Sequence, residues 1–185
     1  MPWLTFLLAL VISVGVMPLI KIIARRLGKV AQPRADRWHS KPTPYLGGVG
    51  IFVGFIAALA LSGKWGSLPL GLVAGAAIAF IVGMIDDFYN LSPQTKLLGL
   101  FLAASAVIFS GNVTYFFPWQ IANIAVSFVW MVGIANALNL LDNMDGLSSG
   151  TALMVAGFMI YFFWQSGNGE NLILTLAIAG ATLGF

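Results

Sequence analysis

Apolar residues fall into seven long runs along the 185-residue chain, separated by short polar stretches. The runs do not alternate polar and apolar residues, as the strands of a membrane β-barrel would. A spanning helix needs about 20 mostly apolar residues, within a range of about 17–25. The pattern predicts an all-α fold, with residues 1–185 forming a single transmembrane domain, a polytopic helix bundle of about seven spans. The predicted spans are Trp3–Ile20, Leu46–Leu61, Leu68–Ile85, Leu97–Ser110, Trp119–Leu141, Ser149–Trp164 and Leu172–Phe185.

Composition strengthens the membrane interpretation. Charged residues make up 8% of the chain, against about 25% in a typical soluble domain. Cysteine is absent, which excludes disulfides, a thiolate nucleophile and a cysteine-based metal site. The first 17 residues lack a basic segment and a small-residue cleavage site, so we expect a retained first span and not a signal peptide.

The charges collect on one side of the predicted membrane. Eight of the nine basic residues lie in or at the edges of the odd-numbered loops between spans, and cytoplasmic loops are the ones rich in Lys and Arg. We therefore expect a multi-pass protein of the cytoplasmic membrane with its N-terminus outside. The single histidine, His39, and five of six acids share the cytoplasmic side, and the rule for Lys and Arg does not explain the acids. This asymmetry predicts one cytoplasmic polar site. The five acids are Asp36, Asp86, Asp87, Asp142 and Asp145.

The first acidic cluster ends the third span. Asp86 and Asp87 are followed by a predicted turn at Asn90–Pro93, and Ser92–Lys96 must extend the fourth span for it to reach full length. Adjacent helical residues point about 100° apart, so the two carboxylates need not share a ligand. One could bind a metal while the other handles a proton or a second contact. The alternative is a solvated helix end.

The second cluster ends the fifth span, where Asn136, Asn139, Asp142 and Asp145 recur every third residue. Residues three apart on a helix are offset by about 60°, so only neighbours in this series share a surface. We expect the helix to end near Asp142, a turn at Asp145–Gly146, and capping of the next helix by Ser148–Ser149. Interhelical hydrogen bonding and a binding site both remain open for Asn136, and a site is favoured for the other three.

These residue types suit phosphate chemistry. Mg²⁺ prefers oxygen ligands, often one or two carboxylates plus substrate phosphates, and basic side chains neutralise the remaining phosphate charge. Arg34, Arg37, His39 and Lys41 in the first cytoplasmic loop could meet a nucleotide diphosphate or a lipid phosphate, while attraction to anionic lipid explains the preceding basic residues. The set predicts phosphoryl transfer on a diphosphate substrate. The sequence has no P-loop motif.

Three segments together carry a resemblance: RADRWHSKPTPYLGG, MIDDFYNLSPQTKLLG and NALNLLDNMDGLSSG. In this order and spacing they resemble the polyprenyl-phosphate N-acetylhexosamine-1-phosphate transferases, glycosyltransferase family 4, which include phospho-N-acetylmuramoyl-pentapeptide transferase. The resemblance runs through essentially all of the chain. It implies an enzyme that moves a sugar-1-phosphate from a UDP-sugar to a polyprenyl phosphate, such as undecaprenyl phosphate, and releases UMP. The implied cofactor is Mg²⁺, with Mn²⁺ as the alternative ion.

The resemblance also assigns residues. It implies catalytic roles for Asp86, Asp87, Asp142 and Asp145, and metal ligation by Asp86, Asp87, Asn139 and Asp142. The implied substrate-binding residues are Lys41, Thr43, Lys96 and Asn139, to which we add His39 from the basic loop. The division of proton removal, metal ligation and uridine contact among the acids stays open. Gln32 stands where many family members carry an acid, which puts the role of that position in doubt.

The substrate and partners are expectations of the same kind. The segments favour UDP-N-acetylglucosamine and the first membrane step of cell-envelope glycan synthesis, for teichoic acid, lipopolysaccharide O antigen or another glycan. Muramoyl-pentapeptide phosphate transfer is the alternative. The expected partners are the UDP-sugar, the lipid phosphate and the bilayer, without nucleic acid, and a homodimer is left open. The family has about ten spans, with further metal and sugar motifs after the seventh, so we expect this chain to be an inactive fragment.

The sequence argues against two other functions. An ion-coupled transporter should carry acids near the bilayer midplane, whereas these acids lie at one face. A CDP-alcohol phosphotransferase would need an arginine four residues beyond Gly146 in a D-G-x-x-A-R signature, and that position is Gly150.

Overall fold

Seven helices make up most of the described chain. The computed structural model describes residues 2–28, 30–31, 43–44, 46–63, 69–142 and 146–185. The helices confirm the helical membrane bundle, with one helix at each of the seven predicted runs. Within the described ranges, four are long and apolar enough to cross a membrane, Pro2–Arg26, Leu70–Tyr89, Gln120–Leu141 and Leu147–Gln165. The helices are α1 (Pro2–Arg26), α2 (Gly47–Leu61), α3 (Leu70–Tyr89), α4 (Pro93–Phe109), α5 (Gln120–Leu141), α6 (Leu147–Gln165) and α7 (Gly169–Leu183).

One small element was not predicted. Strand β1 (Val30–Ala31) pairs antiparallel with β2 (Thr43–Pro44), in the register Val30 with Pro44 and Ala31 with Thr43. Pro44 has no N–H to donate, which helps to keep this ladder short. The pairing holds together the two ends of the basic segment that separates α1 from α2.

Side-chain size is distributed as expected for helices surrounded by lipid. The buried positions are rich in small residues such as Ala9, Ser13 and Ala58, whereas large apolar side chains such as Val11 and Phe158 are exposed. In lipid an exposed apolar side chain costs nothing, so close packing of small residues, and not burial of large ones, drives helix association. The packing therefore supports the membrane assignment independently of hydropathy.

The chain divides into two compact units. The first comprises Met1–Ser67 and Asp142–Phe185, and in it α1 packs against both α2 and α7. Glycines permit this contact: a methyl group at Gly54 would lie 3.0 Å from the Ala9 carbonyl oxygen, and one at Gly180 would run into the Phe6 carbonyl oxygen. The backbones of these helices thus touch directly. The prediction of one domain over residues 1–185 stays a prediction.

The second unit, Leu68–Leu141, contains α3, α4 and α5 in sequence. Asn90 ends α3 with a positive φ of 50°, and the Ser92 side chain accepts the Thr95 N–H at 3.2 Å to cap α4. Pro93 occupies the first helical position, where its missing N–H costs nothing. These residues confirm the predicted turn and show that α4 begins where the extension to Lys96 requires.

The turn before α6 is partly as predicted. Helix α5 ends at Leu141, next to Asp142, and Gly146 has a φ of 76°, a conformation that glycine adopts without steric cost. The expected capping by Ser148–Ser149 is wrong. Gly146 itself is the N-cap residue, and both serines lie inside the first turn of α6, where Ser149 Oγ donates back to the Gly146 carbonyl at 3.3 Å.

We predict opposite effects of one substitution at two helical glycines of the first unit. Gly180→Ala should lower the free energy of unfolding by about 1–3 kcal/mol, because the methyl group overpacks a backbone contact. Gly157→Ala is the matched control, because no atom lies within 4 Å of the added methyl group, and it should raise stability by roughly 0.5–1 kcal/mol. Denaturant unfolding in detergent micelles measures both. Equal effects at the two positions would contradict the packing described here.

Candidate active site

Lys96 joins the ends of three helices in the second unit. Its Nζ donates to Asp86 Oδ2 at 2.7 Å and to Asn139 Oδ1 at 3.0 Å. Asp86 lies in the last turn of α3, Lys96 in the first turn of α4, and Asn139 in the last turn of α5. Three of the predicted site residues, separated by up to 53 positions in the sequence, therefore meet at one end of this unit.

Asp86 accepts hydrogen bonds from the turn after α3 and from Lys96. Its Oδ1 accepts the Leu91 N–H at 3.0 Å, and its backbone carbonyl accepts the Asn90 N–H at 2.8 Å. With Lys96 on Oδ2, both carboxylate oxygens hold a protein donor. The Lys96 and Asp86 side chains are 20% and 24% exposed. The pair is thus shielded enough to be held in one geometry and open enough to meet a ligand.

Asp87 occupies a different surface. It is exposed, whereas Asp86 is half-buried, in keeping with the roughly 100° between adjacent helical residues. The expectation that the two carboxylates need not share a ligand stays a prediction, as does their division of labour.

Asn136 and Asn139, near the end of α5, also differ in their partners. Asn139 is exposed and accepts from Lys96, which links α5 to α4. Asn136 instead donates from Nδ2 to the Val132 carbonyl oxygen at 2.9 Å, within its own helix. This bond lies within one helix, and both uses predicted for Asn136, interhelical hydrogen bonding and a binding site, stay predictions.

The remaining predicted residues are more sparsely described. Asp142 is exposed and directly follows α5, and Thr43 pairs with Ala31 in the ladder. His39, Lys41 and Asp145, with Gln32, lie outside the described residues. Their predicted roles stay predictions.

The residues near Lys96 offer the types of oxygen ligand that Mg²⁺ binds. Asp86, Asp87 and Asn139 offer carboxylate and amide oxygens, the donors that Mg²⁺ prefers. Among the described residues, no group of three or more His, Cys, Asp or Glu could hold a metal ion, but Mg²⁺ often uses only one or two carboxylates with substrate phosphates. The Lys96 ammonium group would repel a cation placed on Asp86 Oδ2.

The contact between Lys96 and Asn139 was not predicted from the sequence. The resemblance assigns the lysine to phosphate and the asparagine to metal, as separate roles. A signal was present, because consecutive short-looped helices are antiparallel neighbours and both residues stand at the same predicted end of their spans. The structure adds that each orients the other.

With the geometry described, comparison with known proteins identifies the family. The family model described as glycosyl transferase family 4 matches residues 69–185. The chain belongs to glycosyl transferase family 4. The match includes α3, α4 and α5, and so the whole Lys96 cluster. The resemblance on which the site residues were assigned is thereby confirmed at the level of the family.

Three curated relatives illustrate the range of the family. A Bacillus subtilis protein named "probable undecaprenyl-phosphate N-acetylglucosaminyl 1-phosphate transferase" is 31% identical over 97% of this chain and 53% of its own length. The decaprenyl-phosphate N-acetylglucosaminephosphotransferase of Mycobacterium tuberculosis is 34% identical over 90% and 48%. The phospho-N-acetylmuramoyl-pentapeptide-transferase of Bacillus velezensis is 29% identical over 98% and 64%. The chain thus spans about half the length of the first two relatives.

We predict that chemical cross-linking will join the two ends of the Lys96 to Asn139 contact. The natural chain has no cysteine, so the pair Lys96→Cys and Asn139→Cys should react with a short bifunctional maleimide and give a cross-linked peptide in mass spectrometry. The control pair, Lys96→Cys and Gln120→Cys, places the second thiol at the other end of α5 and should give none. Cross-linking of the control alone would refute the arrangement of α4 and α5.

Proposed function

We propose that the protein to which this chain belongs transfers N-acetylglucosamine-1-phosphate from UDP-N-acetylglucosamine to a polyprenyl phosphate and releases UMP. The observation that carries the proposal is the Lys96 cluster, with its carboxylates, within a family whose relatives are named for such transfers. Transfer of a muramoyl-pentapeptide phosphate is the second candidate, favoured by the similarity to the Bacillus velezensis protein.

The proposed chemistry is a displacement at phosphorus. An oxygen of the lipid phosphate attacks the β-phosphate of the UDP-sugar, a new P–O bond forms, and the bond to the leaving UMP breaks. Negative charge moves from the attacking oxygen to the leaving phosphate, so catalysis depends on positioning and charge stabilisation. Mg²⁺, when bound, would neutralise charge on the diphosphate oxygens as a Lewis acid.

Lys96 is proposed to hold the phosphate. An ammonium group has three N–H donors, and Asp86 and Asn139 engage two of them among the described residues. The third donor can reach a phosphate oxygen while the other two fix the direction of the side chain. A positively charged donor that is already oriented stabilises developing charge without reorganising during the reaction.

Asp86 is proposed as a positioning residue and Asp87 as the acid that meets the substrate. Both Asp86 oxygens already accept protein donors, which makes that carboxylate a poor acceptor for the lipid phosphate proton. Asp87, one residue on, faces another direction and is exposed. It would hold the metal ion or remove the proton.

The distribution of basic residues supports a cytoplasmic location for the proposed site. Because the basic residues concentrate in the odd-numbered loops, we place the Lys96 end of the second unit at the cytoplasmic face and the N-terminus outside. The nucleotide-sugar donor would then be met on the side of the membrane where it is made, and the reaction would be the first membrane step of a cell-envelope glycan.

A direct assay tests the proposed substrate. Membranes containing the full-length protein, undecaprenyl phosphate and Mg²⁺ should convert radiolabelled UDP-N-acetylglucosamine into a lipid-soluble product with stoichiometric UMP. Labelled UDP-N-acetylmuramoyl-pentapeptide is the matched donor. Product from that donor alone would assign the protein to the muramoyl branch, and no lipid-soluble product from either donor would refute the proposed reaction.

We predict a graded response to three substitutions in the full-length protein. Lys96→Gln should lower kcat by about 10²–10³, the usual effect of losing one transition-state donor. Asp87→Asn should also lower kcat at saturating Mg²⁺. Asp86→Asn should mainly raise KM for the lipid phosphate, because an amide oxygen can still accept from Lys96 while the ionic hold is lost.

Gln94→Ala is the control for this series, since Gln94 is exposed in the first turn of α4 and is not assigned to the site. It should leave both kinetic constants unchanged. Full activity of Asp87→Asn at saturating Mg²⁺, or a larger kcat loss in Asp86→Asn than in Asp87→Asn, would reverse the roles proposed for the two aspartates.

A further inference from the structure

The loop between α4 and α5, residues 110–119, is uncharged and aromatic. Its sequence, SGNVTYFFPW, leaves Tyr115, Phe116 and Trp119 exposed by 77%, 72% and 71%. An aqueous loop would present polar or charged side chains, and this loop turns its aromatic rings outward. The exposed faces of the helices that it connects are also apolar, with Phe109 and Ile121 flanking it.

Side chains of α5 bond to several backbone groups of this loop. The Asn123 side chain, 2% exposed, accepts the N–H groups of Phe116 and Phe117 at 3.0 and 2.9 Å, and its Nδ2 donates to the Phe117 carbonyl at 2.9 Å. These bonds hold the aromatic part of the loop against the first turn of α5. Water is not needed as a partner for these groups.

A second residue, one helical turn further along α5, holds the preceding part of the loop. Ser127, 1% exposed, accepts the Thr114 N–H at 2.9 Å and lies 2.6 Å from the Thr114 hydroxyl oxygen. Since the Ser127 hydroxyl proton is donated to the Asn123 carbonyl at 2.8 Å, Thr114 must be the donor between the two hydroxyls. The loop thus runs beside the first two turns of α5.

Helix lengths indicate where these two turns lie. Helix α4 has 17 residues and α5 has 22, which at about 1.5 Å per residue gives about 25 Å and about 33 Å. The hydrocarbon core is about 30 Å thick, so α4 alone falls short of crossing it. Non-helical backbone is tolerated at membrane depth only where protein satisfies its polar groups, and Asn123 and Ser127 do so for three N–H groups and one carbonyl of this loop.

We propose that residues 110–119 form an aromatic anchor embedded in the boundary between lipid head groups and acyl chains. The occupant of this surface is the phospholipid of the adjoining leaflet, because the loop is continuous with two apolar helices and carries no charge. Tyr and Trp favour this depth, with the ring in the apolar part and the polar tip near water. The anchor would fix the height of α4 in the bilayer, and with it the height of Lys96 at the other end. The proposal does not depend on the proposed reaction.

Spin labelling tests the anchor, since the chain contains no cysteine. Tyr115→Cys and Trp119→Cys, each in the full chain, are nitroxide-labelled and reconstituted in vesicles of phosphatidylethanolamine and phosphatidylglycerol. Collision rates with oxygen, which partitions into lipid, should exceed those with a water-soluble nickel chelate. Gln94→Cys, at the polar start of α4, is the control and should show the reverse. A nickel preference at Tyr115 would place the loop in water, and protection from both reagents would mean that protein covers it; either outcome overturns the proposal.

The hydrogen bonds provide a second, independent measurement. Asn123→Ala should sharpen the spectrum of the label at Tyr115, because the loop loses its hold on α5, and should raise its collisions with the nickel chelate. Ser127→Ala serves if the first variant does not fold. Asn112→Ala is the matched control, since Asn112 bonds within the loop to Ser110 and does not touch Asn123. An equal response to Asn112→Ala and Asn123→Ala would show that α5 does not hold the loop at its depth.

Discussion

The ionic contact between Lys96 and Asp86, completed by Asn139, is the interaction on which the site depends. A lysine at a span end is free to snorkel towards water, and a single acceptor would leave its long side chain several rotamers. Two acceptors from two other helices remove that freedom. The geometry of the ammonium group is therefore set by the packing of α3, α4 and α5, and any change in that packing changes the direction of its N–H donors.

The surrounding bilayer explains why the second unit contains few polar residues. With apolar side chains facing lipid, the polar residues of the second unit are concentrated at its two ends. At one end, Asp86, Lys96 and Asn139 form contacts that leave donor capacity for a ligand. At the other, Asn123 and Ser127 bond to backbone groups of a non-helical loop. The first set is charged and the second is neutral, so the same helices separate two chemically different ends.

Sequence reasoning recovered what periodicity and charge encode. Seven apolar runs became seven helices, the turn at Asn90–Pro93 was found because Ser92 and Pro93 are strong start signals, and the family followed from three motifs. It failed where a side chain had a choice of partners. Gly146 replaced the serines as the cap residue, and the pairing of Lys96 with Asn139 depends on packing across 43 positions that no local pattern records.

In the proposed mechanism, the two adjacent aspartates divide a task by position alone. Their chemistry is the same, and sequence gives no ground for telling them apart. One faces the turn and α4, where a backbone N–H and the lysine occupy both its oxygens; the other lies a third of a turn away and is exposed. A carboxylate that holds a lysine gains from staying ionised and still, whereas one that exchanges a proton or a metal ion must release its partner in each cycle. The two demands conflict on one side chain, so separating them by about 100° of helix is a physical reason for the pair.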